Sequence, residues 1–411
     1  MKVLILSGRF GFGHEMAANA IREEFKRQRA DAEIIQKDLP TYFNPYISKI
    51  IYKVFGLVAE RYHGIYNIVY KISGKMNSGN RPDGPLIYRK FQRLVEECRP
   101  DVIVCTHPFC EKSAANYKAK SGSQIPLVTC ITDISMHKEW FAKQTDLYLA
   151  PTVEVKNNLV SFGALPENIL VTGVPVRQQF LGSEKEGNRM HPLMGQKHFH
   201  KKEAAEKHVL VMGGGLGIMP ELEDILNTLH ETPGVKATVI TGKNQKTYQM
   251  WKGHFDDVEV LGYVDDIGNY MRKSDLVITK AGGITLFELL HSKVPMFIIR
   301  PFLEQETVNA RYAQGKGFAH VVWDKKEDFK AELRNLLKDT ERLEKLRENM
   351  VKAHEEMIDA ELSQAVWEMS KRGQDYKENS KVMNFFRIMS ESSKLPLYSI
   401  FGESLQGGTQ I

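Results

Sequence analysis

The residues best suited to chemistry lie between Leu276 and Ala310. An apolar run, Leu276 to Ile278, leads to Lys280; two glycines follow, Gly282 and Gly283, and Thr285 to Leu290 reads as the opening of a helix. A glycine turn that opens a helix presents backbone N–H groups with no side chains in the way, which suits an anion. Glu288 stands one turn further on, and a second apolar run, Met296 to Ile299, delivers a polar loop with Glu304, Gln305, Glu306 and Asn309. A diphosphate, a ribose and a sugar would each find a partner among these groups. Part of the segment also has a plainer use. Thr285-Leu286-Phe287-Glu288 fits a capping box, in which Glu288 only reaches back to the helix start.

Three other places carry comparable chemistry. Ser7 to Glu15 follows an apolar strand and opens a helix, with Gly11 and Gly13 allowing close approach and His14 at the helix head. Its spacing fails the dinucleotide fingerprint, because Glu15 and Met16 stand where a third glycine is needed. His14 suits a base or a donor to an oxyanion, and a structural histidine at a helix start is the bland alternative. Gly213, Gly214 and Gly215 follow Met212 in the same arrangement, and no Gly-Lys-Ser/Thr completes a P-loop. Thr132-Asp133 closes another apolar run, with His137 and Trp140 shortly beyond. A carboxylate at the carboxyl end of a parallel strand points into the crevice, where a general base belongs. Capping the next helix is an equally ordinary use of Asp133.

The elements that must hold these groups form two series. Strands are expected at Val3–Ser7, Glu33–Ile35, Val102–Cys105, Leu127–Ile131 and Asp146–Ala150, with helices at Glu15–Arg29 and Glu154–Phe162. A second series has strands at His208–Met212, Ala237–Thr241, Val258–Leu261, Leu276–Thr279, Met296–Ile299 and His320–Val322. Its helices fall at Leu222–Leu229, at Ile267–Arg272 and after Thr285, and a long amphipathic helical block runs from Phe329 to Lys371. Short apolar runs separated by helices predict parallel sheets covered on both faces. The fold class is therefore α/β, two Rossmann-like doubly wound units facing a cleft. The divisions are residues 1–180, a linker at 181–207, residues 208–350, a C-terminal helix at 351–372 and a mobile or docking tail at 373–411. His198 and His200 in the linker have no third ligand nearby, so no metal is expected.

One stretch, Tyr42 to Leu94, fits no sheet. Ile47, Ile50, Ile51, Val54, Phe55 and Val58 make a helical stripe, and Lys49, Lys53, Arg89 and Lys90 belong to a basic set interleaved with tyrosines. Such a helix suits an anionic membrane surface. A helix packed on its own domain with a solvated basic face gives the same pattern.

Composition sets outer bounds. The 411 residues are 42% hydrophobic and 26% charged, as in an ordinary globular protein, and 56 basic against 51 acidic residues leave only +5, too little to argue for nucleic acid. No apolar run is long enough to span a bilayer. Cys98, Cys105, Cys110 and Cys130 lie in or beside apolar runs and read as reduced core residues, which points to the cytoplasm.

Taken in order, Gly11 to Ala18, Thr132 to Trp140, Val171 to Arg177, Met212 to Gly215, Gly262 to Val264, Lys280 to Glu288 and Gln305 to Ala310 make a set of seven motifs. The set resembles the plant monogalactosyldiacylglycerol synthases and bacterial diacylglycerol glucosyltransferases, inverting glycosyltransferases of GT-B fold. The resemblance implies a UDP-hexose donor held by the second unit and a diacylglycerol acceptor presented to the first, at the cytoplasmic face of a membrane. It implies that Gly213 to Gly215 and the turn at Gly282 and Gly283 approach the diphosphate. Glu288 would accept from the ribose, Gln305 and Glu306 would face the sugar, Lys280, Thr285 and Asn309 would also bind the donor, and no cofactor or metal is required. Gly11, Gly13, His137 and Trp140 would lie on the acceptor side, with Asp133 taken as the base and His14 as its partner. Leu303 and Glu304 stand where many relatives carry Pro-Gly, which leaves the hexose open between glucose and galactose. A transferase acting from UDP-GlcNAc on a polyprenyl-linked precursor, or a UDP-sugar sensor, are the alternatives.

Overall fold

The computed structural model describes residues 1–10, 13–61, 84–135, 138–181, 206–214, 219, 221–357 and 362–372. Expectations placed on Gly11, His137, Gly215, the His198/His200 linker, residues 62–83 and the tail after Gly373 fall outside the described residues.

Strands β1 (Lys2–Ser7), β2 (Glu33–Asp38), β3 (Val102–Cys105), β4 (Leu127–Cys130), β5 (Leu147–Ala150) and β6 (Ile169–Val171) form a parallel sheet in the order β2-β1-β3-β4-β5-β6. Every residue of β3, β4 and β5 is buried, because helices cover both faces; that is why they read as unbroken apolar runs. The helices are α1 (Gly13–Gln28), α2 (Leu39–Phe43), α3 (Pro45–Arg61), α4 (Pro85–Cys98), α5 (Pro108–Ser121) and α6 (Val153–Phe162). Strand β6 adds to the expected set.

The second sheet, β7 (Lys207–Met212), β8 (Val235–Ile240), β9 (Val258–Leu261), β10 (Leu276–Thr279), β11 (Met296–Ile299) and β12 (Ala319–Val322), is parallel in the order β12-β11-β10-β7-β8-β9. Its helices are α7 (Leu222–His230), α8 (Gln245–Trp251), α9 (Ile267–Arg272), α10 (Gly283–Ser292), α11 (Glu304–Gly315), α12 (Phe329–Lys338), α13 (Thr340–Glu355) and α14 (Leu362–Arg372). Two expectations are corrected here. Residues 304–309 form the start of α11 instead of a loop. The block from Phe329 to Lys371 is three helices, because Asp339 ends α12 and its carboxylate accepts from Arg342 N at 2.9 Å, starting α13.

Strand order reverses between β1 and β3 in the first sheet and between β7 and β10 in the second. Ligands of doubly wound sheets bind outside the carboxyl ends of strands at such switch points. The loops that leave these four strands carry His14, Thr106 and His107 in one unit, and Gly213, Gly214 and Lys280 to Gly283 in the other.

The chain crosses between the units twice. On the first crossing Val174, Val176 and Phe180 are buried with Met271, Leu286, Phe287 and Leu290 of the second unit. Burying each such side chain is worth about 1.5–3 kcal/mol, so the crossing belongs to the second unit's core. The Gln179 amide adds direction: its Oε1 accepts from Gly268 N and its Nε2 donates to Asp265 O, both at 3.0 Å. On the return, Leu362, Ala365, Val366 and Met369 of α14 pack with Val3, Ile5, Ile21 and Phe25, and the Arg29 guanidinium lies 4.4 Å from the centre of the Trp367 ring. The two crossings lie side by side. Gly173 adopts φ +74°, and a Cβ there would stand 2.8 Å from Met357 Sδ.

Candidate functional site

The first-unit wall of the cleft is built on the ends of β1, β3 and β4. His14, in the first turn of α1, has its Nδ1 2.8 Å from the Thr106 carbonyl oxygen and 2.7 Å from Thr132 Oγ1. A carbonyl oxygen only accepts, so Nδ1 carries the proton and Nε2 keeps a lone pair. Thr106 Oγ1 donates to the His14 carbonyl at 3.0 Å, locking strand end to helix start from both sides. Burial lowers the proton affinity of His14, opposed by the nearby Asp133 charge and the bond to Thr106. The ring is therefore a neutral imidazole at pH 7. His107 packs edge-on against it at 4.6 Å between ring centres, and Trp140, itself buried, lies 6.0 Å away.

The second-unit wall starts at α10. Gly282 is its N-cap, and no side chain caps it. The first-turn N–H groups of a helix have no partners within the helix, so this end offers donors and the positive end of the helix dipole. The alternative capping box at Thr285–Glu288 does not form, because the helix begins before Thr285. Glu288 instead lies in the second turn, buried, with Oε1 3.8 Å from Arg177 Nη2. Burial pushes its carboxyl up to about 7, against the opposing pull of Arg177. Gly214 (φ +73°) forms the matching turn after β7.

Helix α11 joins the two walls. Gln305 Nε2 donates to Asp133 Oδ1, so an amide of one unit holds the carboxylate of the other. Asp133 caps no helix in this arrangement: the turn beyond it starts at Lys138. Glu306 lines a crevice with Thr279, Lys280, Ala281 and Phe302, and Lys280 Nζ sits 5.1 Å from the Phe302 ring centre. Asn309 is fully buried and reaches the site indirectly; its Nδ2 donates to Ala281 O at 2.8 Å and so braces the glycine turn. Gly283 has a use the sequence did not announce. A Cβ there would lie 3.2 Å from the Thr132 carbonyl, so its missing side chain lets the units approach.

The acceptor-side set divides. Lys49, Lys53 and Arg89 are exposed, whereas Lys90 donates to the Phe43 carbonyl and is half-buried. Helix α3 turns Tyr52 and Phe55 inward onto Phe10, at 5.1 and 5.6 Å between ring centres, and Phe10 stacks on His107. Its outer arc is apolar. Tyr46 (82% exposed), Ile50 (63%) and Val54 (52%) stand beside exposed Ile47, Ile51 and Leu57, so Phe55 of the expected stripe packs on its own domain while Ile47, Ile50, Ile51 and Val54 do not. Among the described residues no helix is long and apolar enough to cross a membrane.

Three contributors were not singled out from sequence: Thr106, Arg177 and Gln179. The rule that found Asp133, a polar residue at a strand's carboxyl end, points equally to Thr106 after Val102–Cys105. Arg177 closes the Val171–Arg177 motif but was given no role there, and no local pattern marks Gln179; both act across units.

Glu288 gives a pH-dependent expectation. A carboxyl with a value near 7 is protonated below that pH and charged above it. If it accepts from ribose hydroxyls, UDP affinity rises as pH climbs from 6 to 8, and titration calorimetry on Glu288→Gln shows a flat profile. Arg177 is the cation facing it, and His291, one turn on in α10, is held neutral at about 3 by burial and His354. The raised value also means that this group's contribution to folding stability falls as pH rises from about 5 through 7.

Residues 14–176 match the family described as monogalactosyldiacylglycerol (MGDG) synthase, and residues 208–366 the glycosyltransferase family 28 C-terminal domain. The processive diacylglycerol beta-glucosyltransferase of Bacillus pumilus (strain SAFR-032) is 30% identical over 367 residues, covering 86% of this chain and 91% of that protein. The enzyme of the same name from Bacillus subtilis (strain 168) is 29% identical with the same coverage. Among solved structures, Acinetobacter baumannii MurG superposes with a TM-score of 0.56 at 15% identity, over 89% of this chain and 99% of that one. A UDP-N-acetylglucosamine 2-epimerase from Listeria monocytogenes gives 0.55 at 14% identity, over 92% and 97%. These two establish the GT-B fold. With two motif-bearing halves, a switch-point cleft and this coverage by its relatives, the chain belongs to the monogalactosyldiacylglycerol synthase and bacterial diacylglycerol glucosyltransferase family, within glycosyltransferase family 28.

Proposed function

We propose that the protein transfers a hexose from a UDP-sugar to diacylglycerol with inversion, working at the cytoplasmic face of a membrane as a peripheral protein. The observation that carries this is the pairing across one cleft of a neutral His14 with an uncapped helix start. His14 Nε2 takes the proton of the acceptor hydroxyl while that oxygen attacks the anomeric carbon. The bond from that carbon to the UDP oxygen breaks, and UDP leaves with the electron pair. Its charge is met by the N–H groups of α10 and by Lys280. This exchanges the roles first given to His14 and Asp133. The Asp133 oxygen Oδ1 is taken by Gln305, and its charge raises the basicity of His14. On this reading Gln305 and Glu306 meet sugar hydroxyls, and Glu288 the ribose. Glucose is favoured over galactose by the names of the relatives.

The membrane side of the reading rests on α3. Its exposed apolar arc, with Lys49 and Lys53 along one border, matches a helix lying in a bilayer interface. One experiment covers both parts. The protein is mixed with vesicles containing diacylglycerol and anionic lipid, and with labelled UDP-glucose, UDP-galactose or UDP-GlcNAc. Glycolipid from UDP-glucose is the expected product. Ile50→Glu with Val54→Glu should abolish vesicle sedimentation and lower transfer to vesicles at least tenfold while leaving UDP binding intact. No glycolipid from any donor sinks the proposal, product from UDP-GlcNAc alone replaces its donor, and unchanged sedimentation removes the membrane face.

A further inference from the structure

We propose that Arg177 is a positioning residue of the nucleotide site, delivered by the inter-unit crossing to hold the Glu288 carboxylate in place as a charged acceptor for the ribose diol. The inference rests on the reading of Glu288 as the ribose ligand and goes beyond it.

The geometry has three parts. Glu288 is a carboxylate within an apolar stretch of α10: Leu286, Phe287, Leu289 and Leu290 around it are all fully buried. A carboxylate in such surroundings is costly to ionise without a cation nearby. Arg177 Nη2 is that cation, at 3.8 Å. Second, Arg177 is held by its neighbours. Val176 and Phe180 are buried in the second unit's core, Gln178 N donates to Glu23 Oε2 at 3.3 Å, and Gln179 is clamped to Asp265 and Gly268. The guanidinium also lies 5.3 Å from the Phe180 ring centre, a favourable cation–π distance. Third, Arg177 Nε is buried and lacks a hydrogen-bond partner, so the side chain is placed for charge at the expense of one of its own donors. A lysine on this backbone would have a point charge without the planar fork.

Arg177 could instead touch the diphosphate itself, and the test separates the two. UDP and 2′-deoxy-UDP are titrated calorimetrically into wild type, Arg177→Met, Arg177→Lys and Glu288→Gln. Their affinity ratio reads the ribose contact alone, and wild type should prefer UDP by about tenfold or more, the worth of a hydrogen bond to a charged group. Glu288→Gln should bring the ratio close to one. Arg177→Met should do the same, with Arg177→Lys in between. A loss of affinity for both nucleotides with the ratio preserved assigns Arg177 to the diphosphate and overturns the proposal. An unchanged Arg177→Met overturns it too. Wild type that fails to discriminate the two nucleotides defeats the ribose reading itself. If Arg177→Met does not fold, Arg177→Lys, which keeps the charge, decides by whether its ratio falls.

Discussion

His14→Ala should lower kcat by about 10²–10⁴-fold while UDP affinity stays within a factor of about two, since general-base catalysis is worth that much. The reason lies in how the ring is held. Thr106 O and Thr132 Oγ1 both sit on Nδ1, which fixes the proton there and leaves Nε2 basic. Removing Thr132 Oγ1 with Thr132→Val leaves the Thr106 carbonyl in place, so that variant should lose only about tenfold, the worth of one hydrogen bond. Asp133→Asn provides the contrast. On this geometry it removes a charge that raises the basicity of His14, and its loss in kcat should be smaller than that of His14→Ala. Single-turnover rates for the three variants order the roles. A deeper loss in Asp133→Asn than in His14→Ala would return the base to Asp133.

Gly268→Ala should lower kcat/KM by about a hundredfold without unfolding either unit. The added methyl would collide with the Gln179 carbonyl and come 3.3 Å from Arg272 Nη1, which donates to that same carbonyl. Neither backbone can yield locally: Gly268 is the donor bound by the Gln179 side chain, and Gln179 lies between Val176 and Phe180, which are buried. The crossing must shift by about 1 Å, and a misplacement of that size costs about 10² in rate. The strain also lowers stability by about 1–3 kcal/mol. Circular dichroism, a melting curve and steady-state kinetics on one preparation check this. Wild-type turnover in Gly268→Ala would show that the crossing does not set the geometry of the cleft.

Most of the sheets could be read from sequence because strands such as Val102–Cys105 and Leu276–Thr279 are buried along their whole length and carry a run of three or more apolar residues. Strand β6 does not stand out because Ile169 to Val171 is only three residues long, shorter than the runs that read as strands, although Gly173 and Pro175 mark the end of the unit just beyond it. The start of α11 was lost for a similar reason: Leu303 at its N-cap makes no side-chain bond, and Glu304-Gln305-Glu306 reads as a polar loop. In the site, Glu288, His14 and Asp133 stand at strand or helix ends, where position in a parallel fold implies orientation. Thr106 and Arg177 act on partners distant in sequence, and only the fold brings them together. For α3 the period was legible and the direction was not. Periodicity gives a stripe, and only packing of Tyr52 and Phe55 on Phe10 says which way the rest of it faces.

The two crossings of the chain touch each other at Gly173 and Met357. Two connections set far apart would act as a door hinge and allow one arc of motion. Two that meet at a point leave the direction of any motion to the contacts between the units, and three of those lie away from the pivot: Gln305 on Asp133, Gly283 against the Thr132 carbonyl, and Lys316 with Glu154 at 3.8 Å. Fixing the cleft at a given opening is thus shared by residues of α10 and α11 that face the first unit, and is not left to the connections alone.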